Sequence, residues 1–173
     1  MVVIKRIDKE KLREIKLKNE PFKIWGRMIP SLNNGQWKYE IENFPIEAED
    51  IFPDESYDDL DDNSIIIVAY ENDECIGLGI LKSDLYRYMY LYDLKVRADR
   101  RKEGIGRKII TEAILEVSKL GYKGIYTIAQ DNNLTACLFY LRQGFTIGGF
   151  DNRCYEDTKL EGNANIYFYL PVR

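Results

Sequence analysis

The stretch YMYLYDLKVRADRRKEGIGRKIITEAILEVSKLG, residues 88–121, changes its periodicity halfway along. Up to Val96 it is rich in aromatic and branched side chains, the composition of a strand. From Gly104 onward Ile105, Ile109, Ile110, Ala113, Ile114 and Val117 recur at helical spacing on one face, and Gly121 stops the pattern. Between the two lies Arg101-Lys102-Glu103-Gly104-Ile105-Gly106. Glycines at 104 and 106 remove side chains that would hold an anion away, so successive backbone N–H groups can converge on oxygen. The first N–H groups of a helix have no intrahelical partner and carry the positive end of its dipole, which completes an anion site. The segment is predicted as a strand, a phosphate-cradling loop and a helix.

Outward from this segment the chain alternates strands and helices. VVIKRI at the N-terminus reads as a strand, and KEKLREIKLK after it carries Leu12, Ile15 and Leu17 at near-helical spacing. Pro21 and Pro30 interrupt the following stretch, and QWKYEIENF (residues 36–44) alternates as a half-buried strand before an acidic loop. Residues 64–71 and 74–82 flank Asn72-Asp73, a two-residue turn signal, and are expected to form a hairpin. Then follow strand GIYTIAQ, helix NLTACLFYLRQ stopped by Gly144, strand FTIGGF running on toward Tyr155, and a last strand NIYFYL. The order is mixed α/β, and the length fits a single domain over residues 1–173.

Composition narrows the chemistry. No histidine occurs, so the commonest general base and metal ligand are missing, and proton transfer must use carboxylates, tyrosines or water. No metal is expected. Cys75, Cys137 and Cys154 are odd in number and widely spaced, unlike a disulfide framework or zinc site, and are read as reduced and structural. No apolar run could span a bilayer, and MVVIKRIDKEKLR lacks the apolar centre of a secretory signal, so a cytoplasmic protein with no membrane partner is expected. The net charge of −4 is segregated: eleven acidic residues and no lysine or arginine lie between Glu40 and Asp62, whereas Lys95 to Lys108 is mostly basic. Nucleic acid is disfavoured as a partner, because the positive charges crowd one loop and helix start of an acidic chain.

Arg101, Gly104 and Gly106 match the Arg/Gln-x-x-Gly-x-Gly/Ala signature of the GNAT superfamily of N-acetyltransferases, and Asn133-x-x-Ala136-x-x-x-Tyr140 matches its second motif. The resemblance implies a central, mostly antiparallel mixed sheet of about six to seven strands with helices on both faces. It further implies acetyl-coenzyme A as co-substrate. The amides from Lys102 through Glu103, Gly104, Ile105 and Gly106 to Arg107, flanked by Arg101, would hold the pyrophosphate, while Leu94, Lys95 and Val96 would meet the pantetheine arm like an added strand. Asn133 would support the pantetheine side, and Tyr140 would be the general acid for the departing thiolate.

At both ends the chain also resembles the streptothricin acetyltransferases, through Asn19-Glu20-Pro21-Phe22, Gly26-Arg27-Met28-Ile29-Pro30, Asn34-Gly35-x-Trp37 and Thr127-x-x-Gln130-Asp131-x-Asn133. The implied acceptor is an amine of the β-lysine part of streptothricin. A polycationic acceptor agrees with the acidic run, since a carboxylate-lined cleft concentrates cations. Glu40, Asp58, Asp59 and Asp93 are the candidate carboxylates, and Trp37, Tyr39 and Tyr155 the candidate walls that receive a cation on a ring face. An alkyl ammonium has a pKa of about 10.4 and cannot attack until a proton leaves, so Asp93, directly or through water, is the candidate base. Another amine (an aminoglycoside, a polyamine or a protein N-terminus) and a non-catalytic acyl-coenzyme A-binding module stay open as alternatives. A homodimer is compatible with this reading.

Overall fold

The structure, a computed structural model, describes residues 1–84 and 86–172. In chain order its elements are β1 (Val3–Ile7), α1 (Lys9–Leu12), β2 (Phe22–Asn33), β3 (Gln36–Asp50), β4 (Ile65–Glu71), β5 (Glu74–Lys82), β6 (Tyr88–Val96), a 3₁₀ turn (Ala98–Arg100), α2 (Ile105–Lys119), β7 (Gly124–Gln130), α3 (Leu134–Arg142), β8 (Thr146–Asp151) and β9 (Asn165–Pro171). They fall into two compact units, one built on residues 1–20 and 52–125, the other on residues 21–51 and 126–170.

In the first unit β1, β4, β5 and β6 lie side by side in that order, antiparallel throughout. The β4–β5 turn takes φ 50° at Asn72 and 62° at Asp73, the paired left-handed residues of a tight hairpin. Helix α2 packs across β1, β4, β5 and β6. It comes close because β5 carries Gly77 and Gly79: a Cβ at Gly79 would stand 2.5 Å from Ile109 Cγ2, and one at Gly77 3.0 Å from Ile105 Cγ2. Side chains alternate across a strand. Leu78 and Ile80 therefore face the other way, where they bury Ile66, Val68, Leu60 and Leu12 of α1, with Ile15, Leu17 and Tyr57 packed at the margin. This unit has a helix on each face.

The second unit holds the long β2–β3 hairpin, turned by Asn34 and Gly35, and the strands β7, β9 and β8 in that order. Helix α3 packs on β2, and Trp25 Nε1 donates to Thr135 Oγ1 at 3.0 Å. Asp131 joins the parts. Its carboxylate accepts from the N–H groups of Asn132 and Ala164 (both 3.0 Å), while its backbone carbonyl accepts from Met28 N–H (3.0 Å). The buried charge is answered by Arg27 Nη1 at 3.7 Å. Strands β8 and β9 are antiparallel.

The seven strands β1, β4–β9, without the separate β2–β3 ribbon, agree with the expected mixed α/β, mostly antiparallel architecture. Four sequence expectations need correction. Residues 22–33 form a strand despite Pro30, which sits opposite Tyr39 in a two-stranded ribbon where one edge needs no donor. The acidic run is not all loop, because β3 continues to Asp50. Helix α1 is a single turn ending at Leu12, and Ile15 and Leu17 reach the core from chain beyond it. Strand β8 ends at Asp151, whose carboxylate accepts from Arg153 and Cys154 N–H and turns the chain, so Tyr155 lies off the strand.

Candidate active site

The chain leaves β6 with Arg97 N–H donating to Ile76 O at 3.0 Å. Alternation along the antiparallel ladder then directs the backbone groups of Asp93 and Lys95 toward β5 and those of Leu94 and Val96 toward the opposite edge. Arg101 Nε donates to Val96 O there (3.1 Å). Glu20 braces the turn: its Oε2 accepts from Ala98 N–H at 2.5 Å and stands 3.5 Å from Arg101 Nη2. Nothing in the local pattern around Glu20 marked it for this role.

Lys102 takes φ 68° and Gly104 φ 79°, two left-handed residues that turn the chain into α2. Gly104 caps the helix without a side-chain acceptor, and no acidic residue stands in the first turn. A Cβ built at Gly104 meets nothing within 4 Å. The amides of Ile105, Gly106 and Arg107, which precede the first intrahelical donor Lys108, therefore face an open cradle. Charge is sorted within the same loop. Arg97 is engaged by Asp99 and Glu74, and Arg100 by Glu103 and Glu71; these carboxylates push both guanidinium pKa values further up. Among the described residues no ion pair reaches Lys102, Arg107 or Lys108, which leaves three cations at the cradle for an anionic ligand. The fit to a diphosphate is good on every count: bare amides, a dipole end and unspent cations.

On the other face of β6 the Asp93 carboxylate is largely covered. Tyr57 O–H donates to its Oδ2 at 2.5 Å, and Lys95 Nζ lies 3.1 Å from the same oxygen. Lys95 Nζ also donates to Asn19 Oδ1 (3.2 Å) and stands 5.5 Å from the Tyr57 ring centre. Burial, and then the Asp93 charge, push the Tyr57 phenol well above the usual tyrosine range. Beside this cluster is a cavity of about 640 Å³ walled by Leu12 and Tyr57, by the carboxylates of Asp54, Glu55 and Asp58, and by a comparable number of cations, Lys9, Arg13, Lys16, Lys18 and Lys95. Asp58 accepts from Ser56 Oγ. Asp59, by contrast, is tied to Lys82 at 2.8 Å, and that pairing lowers its pKa.

The remaining candidates belong to the second unit. Asn133 caps α3, its Oδ1 accepting from Ala136 N–H at 3.3 Å. Tyr140 is buried on α3 with its ring centre 5.3 Å from that of Phe145 and 5.7 Å from that of Phe168. Cys137, one turn earlier, is buried; loss of solvation pushes its thiol up to about 12, and it packs rather than reacts. Trp37, Tyr39 and Glu40 lie on β3 near the hairpin turn, with Glu40 opposite Ile29 and Tyr39 substantially exposed. Tyr155 does not present a free hydroxyl, since it accepts from Gln130 Nε2 (3.1 Å) and donates to Asn165 Oδ1 (2.9 Å). Asp58 and Asp93 are thus in the first unit with the cradle, whereas Trp37, Tyr39, Glu40 and Tyr155 are in the second. Tyr57 and Asn19 went unmarked as site residues, because only the folded chain brings them to Asp93 and Lys95.

Comparison with known proteins agrees with this geometry. Residues 29–145 match the family model described as the acetyltransferase (GNAT) family. Streptothricin acetyltransferase A of Bacillus subtilis (strain 168) is 32% identical over 162 residues, covering 91% of this chain and 93% of the relative. The crystal structure of a candidate streptothricin acetyltransferase from Bacillus anthracis str. Ames, in complex with acetyl coenzyme A, superimposes with a TM-score of 0.90 at 28% identity over 99% of both chains. A nourseothricin acetyltransferase structure shares the fold, with a TM-score of 0.81 at 21% identity over 99% of both chains.

Proposed function

The chain belongs to the acetyltransferase (GNAT) family and is an N-acetyltransferase, and from that premise we propose that it moves the acetyl group of acetyl-coenzyme A onto an amine of streptothricin, the β-lysine amine. The observation that carries the reading is the cradle of bare amides from Lys102 to Arg107, joined to a β6 edge on which Leu94 and Val96 turn their backbone groups away from β5. Arg101 and the unpaired cations Lys102, Arg107 and Lys108 hold the phosphates. Asn133 supports the pantetheine side. Asp54, Glu55 and Asp58 are the carboxylates that meet the polycationic acceptor, on a cavity wall that also carries Lys9, Arg13, Lys16, Lys18 and Lys95; Trp37, Tyr39, Glu40 and Tyr155 of the second unit are the other acceptor residues in this reading. Asp59 contributes less, its charge being matched by Lys82.

Chemically, the acceptor arrives as an ammonium ion. Asp93 takes its proton, directly or through water, and the freed nitrogen attacks the acetyl carbonyl. Backbone N–H of Leu94 or Val96 stabilises the oxyanion, and Tyr140 hands a proton to the departing thiolate. No covalent enzyme intermediate is needed, which agrees with the buried, unreactive Cys137. The three free cysteines suit a reducing compartment, and the cytoplasm is the proposed location. A thiol-release assay with acetyl-coenzyme A and a panel of amines tests the acceptor. Streptothricin should give the highest kcat/KM; preference for an aminoglycoside or a polyamine would reject it.

A further inference from the structure

Resting on that assignment of Asp93 as the proton acceptor, we propose that Tyr57 and Lys95 are positioning residues that fix the Asp93 carboxylate with one oxygen anchored and the other presented to the amine. Both of its contacts fall on Oδ2, from the Tyr57 hydroxyl at 2.5 Å and the Lys95 ammonium at 3.1 Å. Among the described residues no hydrogen bond reaches Oδ1. A carboxylate held by two donors on one oxygen cannot rotate without losing both, so the lone pairs of the other keep one direction, the kind of preorganisation that proton transfer rewards.

The anchors are themselves held. Tyr57 packs against the cluster of Leu12, Leu60, Leu78 and Ile80, and its loop is pinned on both sides: Tyr92 O–H donates to Glu55 (2.5 Å), Lys82 to Asp59 (2.8 Å) and Ser83 to Asp61 (2.8 Å). Asn19 N–H adds a bond to Asp54 Oδ1 at 2.6 Å. Lys95 is braced by Asn19 Oδ1, and its side chain is only 10% exposed. The acidic residues from Asp54 to Asp61 thus serve as fastenings that deliver a tyrosine to a carboxylate. Tyr57 remains a donor at any pH where the amine reacts, because burial and the charges of Asp93 and Glu55 and the nearby Tyr92 all oppose its ionisation. In the step itself a proton passes from the acceptor ammonium to Asp93 Oδ1, the N–C bond forms, the C–S bond breaks and the thiolate leaves with the Tyr140 proton, while the second proton shed by the nitrogen as it becomes an amide returns through water to the Tyr140 phenolate. Asp93 then returns its proton to water.

The test compares Tyr57→Phe, Lys95→Met and Lys95→Arg with the wild type on whichever amine the wild type acetylates, recording kcat and KM from acid to alkaline pH together with melting temperature. Tyr57→Phe should lower kcat about tenfold and leave the KM for acetyl-coenzyme A unchanged. The acid limb of kcat/KM should move to higher pH, since a donor to the charged carboxylate is gone. Lys95→Met should act in the same direction and more strongly, and Lys95→Arg should recover most of the loss. Unchanged kcat in Tyr57→Phe, or a loss equal at every pH with the acid limb unmoved, would overturn the proposal. If Tyr57→Phe melts early, the Lys95→Met and Lys95→Arg pair decides, and failure of arginine to recover any activity counts against it. Acetylation of another amine but not streptothricin would reject the acceptor reading alone.

Discussion

The basic segment from Lys95 to Lys108 and the acidic segment from Glu40 to Asp62 have opposite charge and opposite relations to the fold. The basic one carries its function on its own backbone: its glycines open the cradle and its unpaired cations lie near one helix start, while its arginines are engaged by carboxylates both inside it (Asp99, Glu103) and outside it (Glu20, Glu71, Glu74). The acidic one is split. Glu40 to Asp50 lie along β3 in one unit, and Asp54 to Asp62 form a loop in the other, where several carboxylates find a partner distant in sequence. A function carried by backbone amides survives in a short motif, whereas one carried by side-chain pairs appears only when the chain has folded.

That contrast is sharpened most by Gly104→Val. Its φ of 79° suits glycine and its missing Cβ leaves the cradle open, so valine should abolish acetyl-coenzyme A binding in calorimetry; unaltered binding would break the comparison on the basic side. Tyr140→Phe should lower kcat about tenfold or more with little change in acetyl-coenzyme A affinity, provided chemistry limits the rate. An unchanged single-turnover rate would remove the general acid. Next is Gly79→Ala, whose Cβ would meet Ile109 Cγ2 at 2.5 Å and push α2 off the sheet. Urea denaturation should show a loss of about 1–3 kcal/mol, with a raised KM for acetyl-coenzyme A as the helix start shifts.

The smallest expected effect concerns Glu116, a buried carboxylate on α2 whose pKa is lowered by Lys119 and then by Arg6. A lowered carboxylate stabilises the fold above its unfolded pKa and stops doing so as pH falls through its folded value. Glu116→Gln should therefore cost about 1 kcal/mol at neutral pH, and the gap from wild type should close below about pH 4. A gap independent of pH would show that packing, not charge, holds this position.

Much of the fold was legible because its signals are local. The β4–β5 turn at Asn72-Asp73, the apolar face of α2 and the stops at Gly121 and Gly144 all rest on neighbours in sequence, and all four stand in the structure. The cradle was readable for the same reason. Strand β2 was not, since Pro30 reads as a breaker until its partner Tyr39 is known to lie across a ribbon with no third strand. Residues 13–17 look helical by spacing, yet four residues make too short a nucleus to propagate, and packing of Ile15 and Leu17 onto the core decides their path. The place of Asp93 on the strand before the loop was legible. Its company was not: Tyr57 is 36 residues away, and Lys95, read as a cofactor contact, turns its ammonium to Asp93.

The most direct test is an amide proton–nitrogen correlation spectrum recorded while acetyl-coenzyme A is added to the intact chain. The resonances of Lys102 to Arg107, those of Gly104 and Gly106 foremost, should shift strongly and saturably, as N–H groups do on taking up phosphate oxygens. Saturable shifts elsewhere with these six amides unmoved would contradict the account.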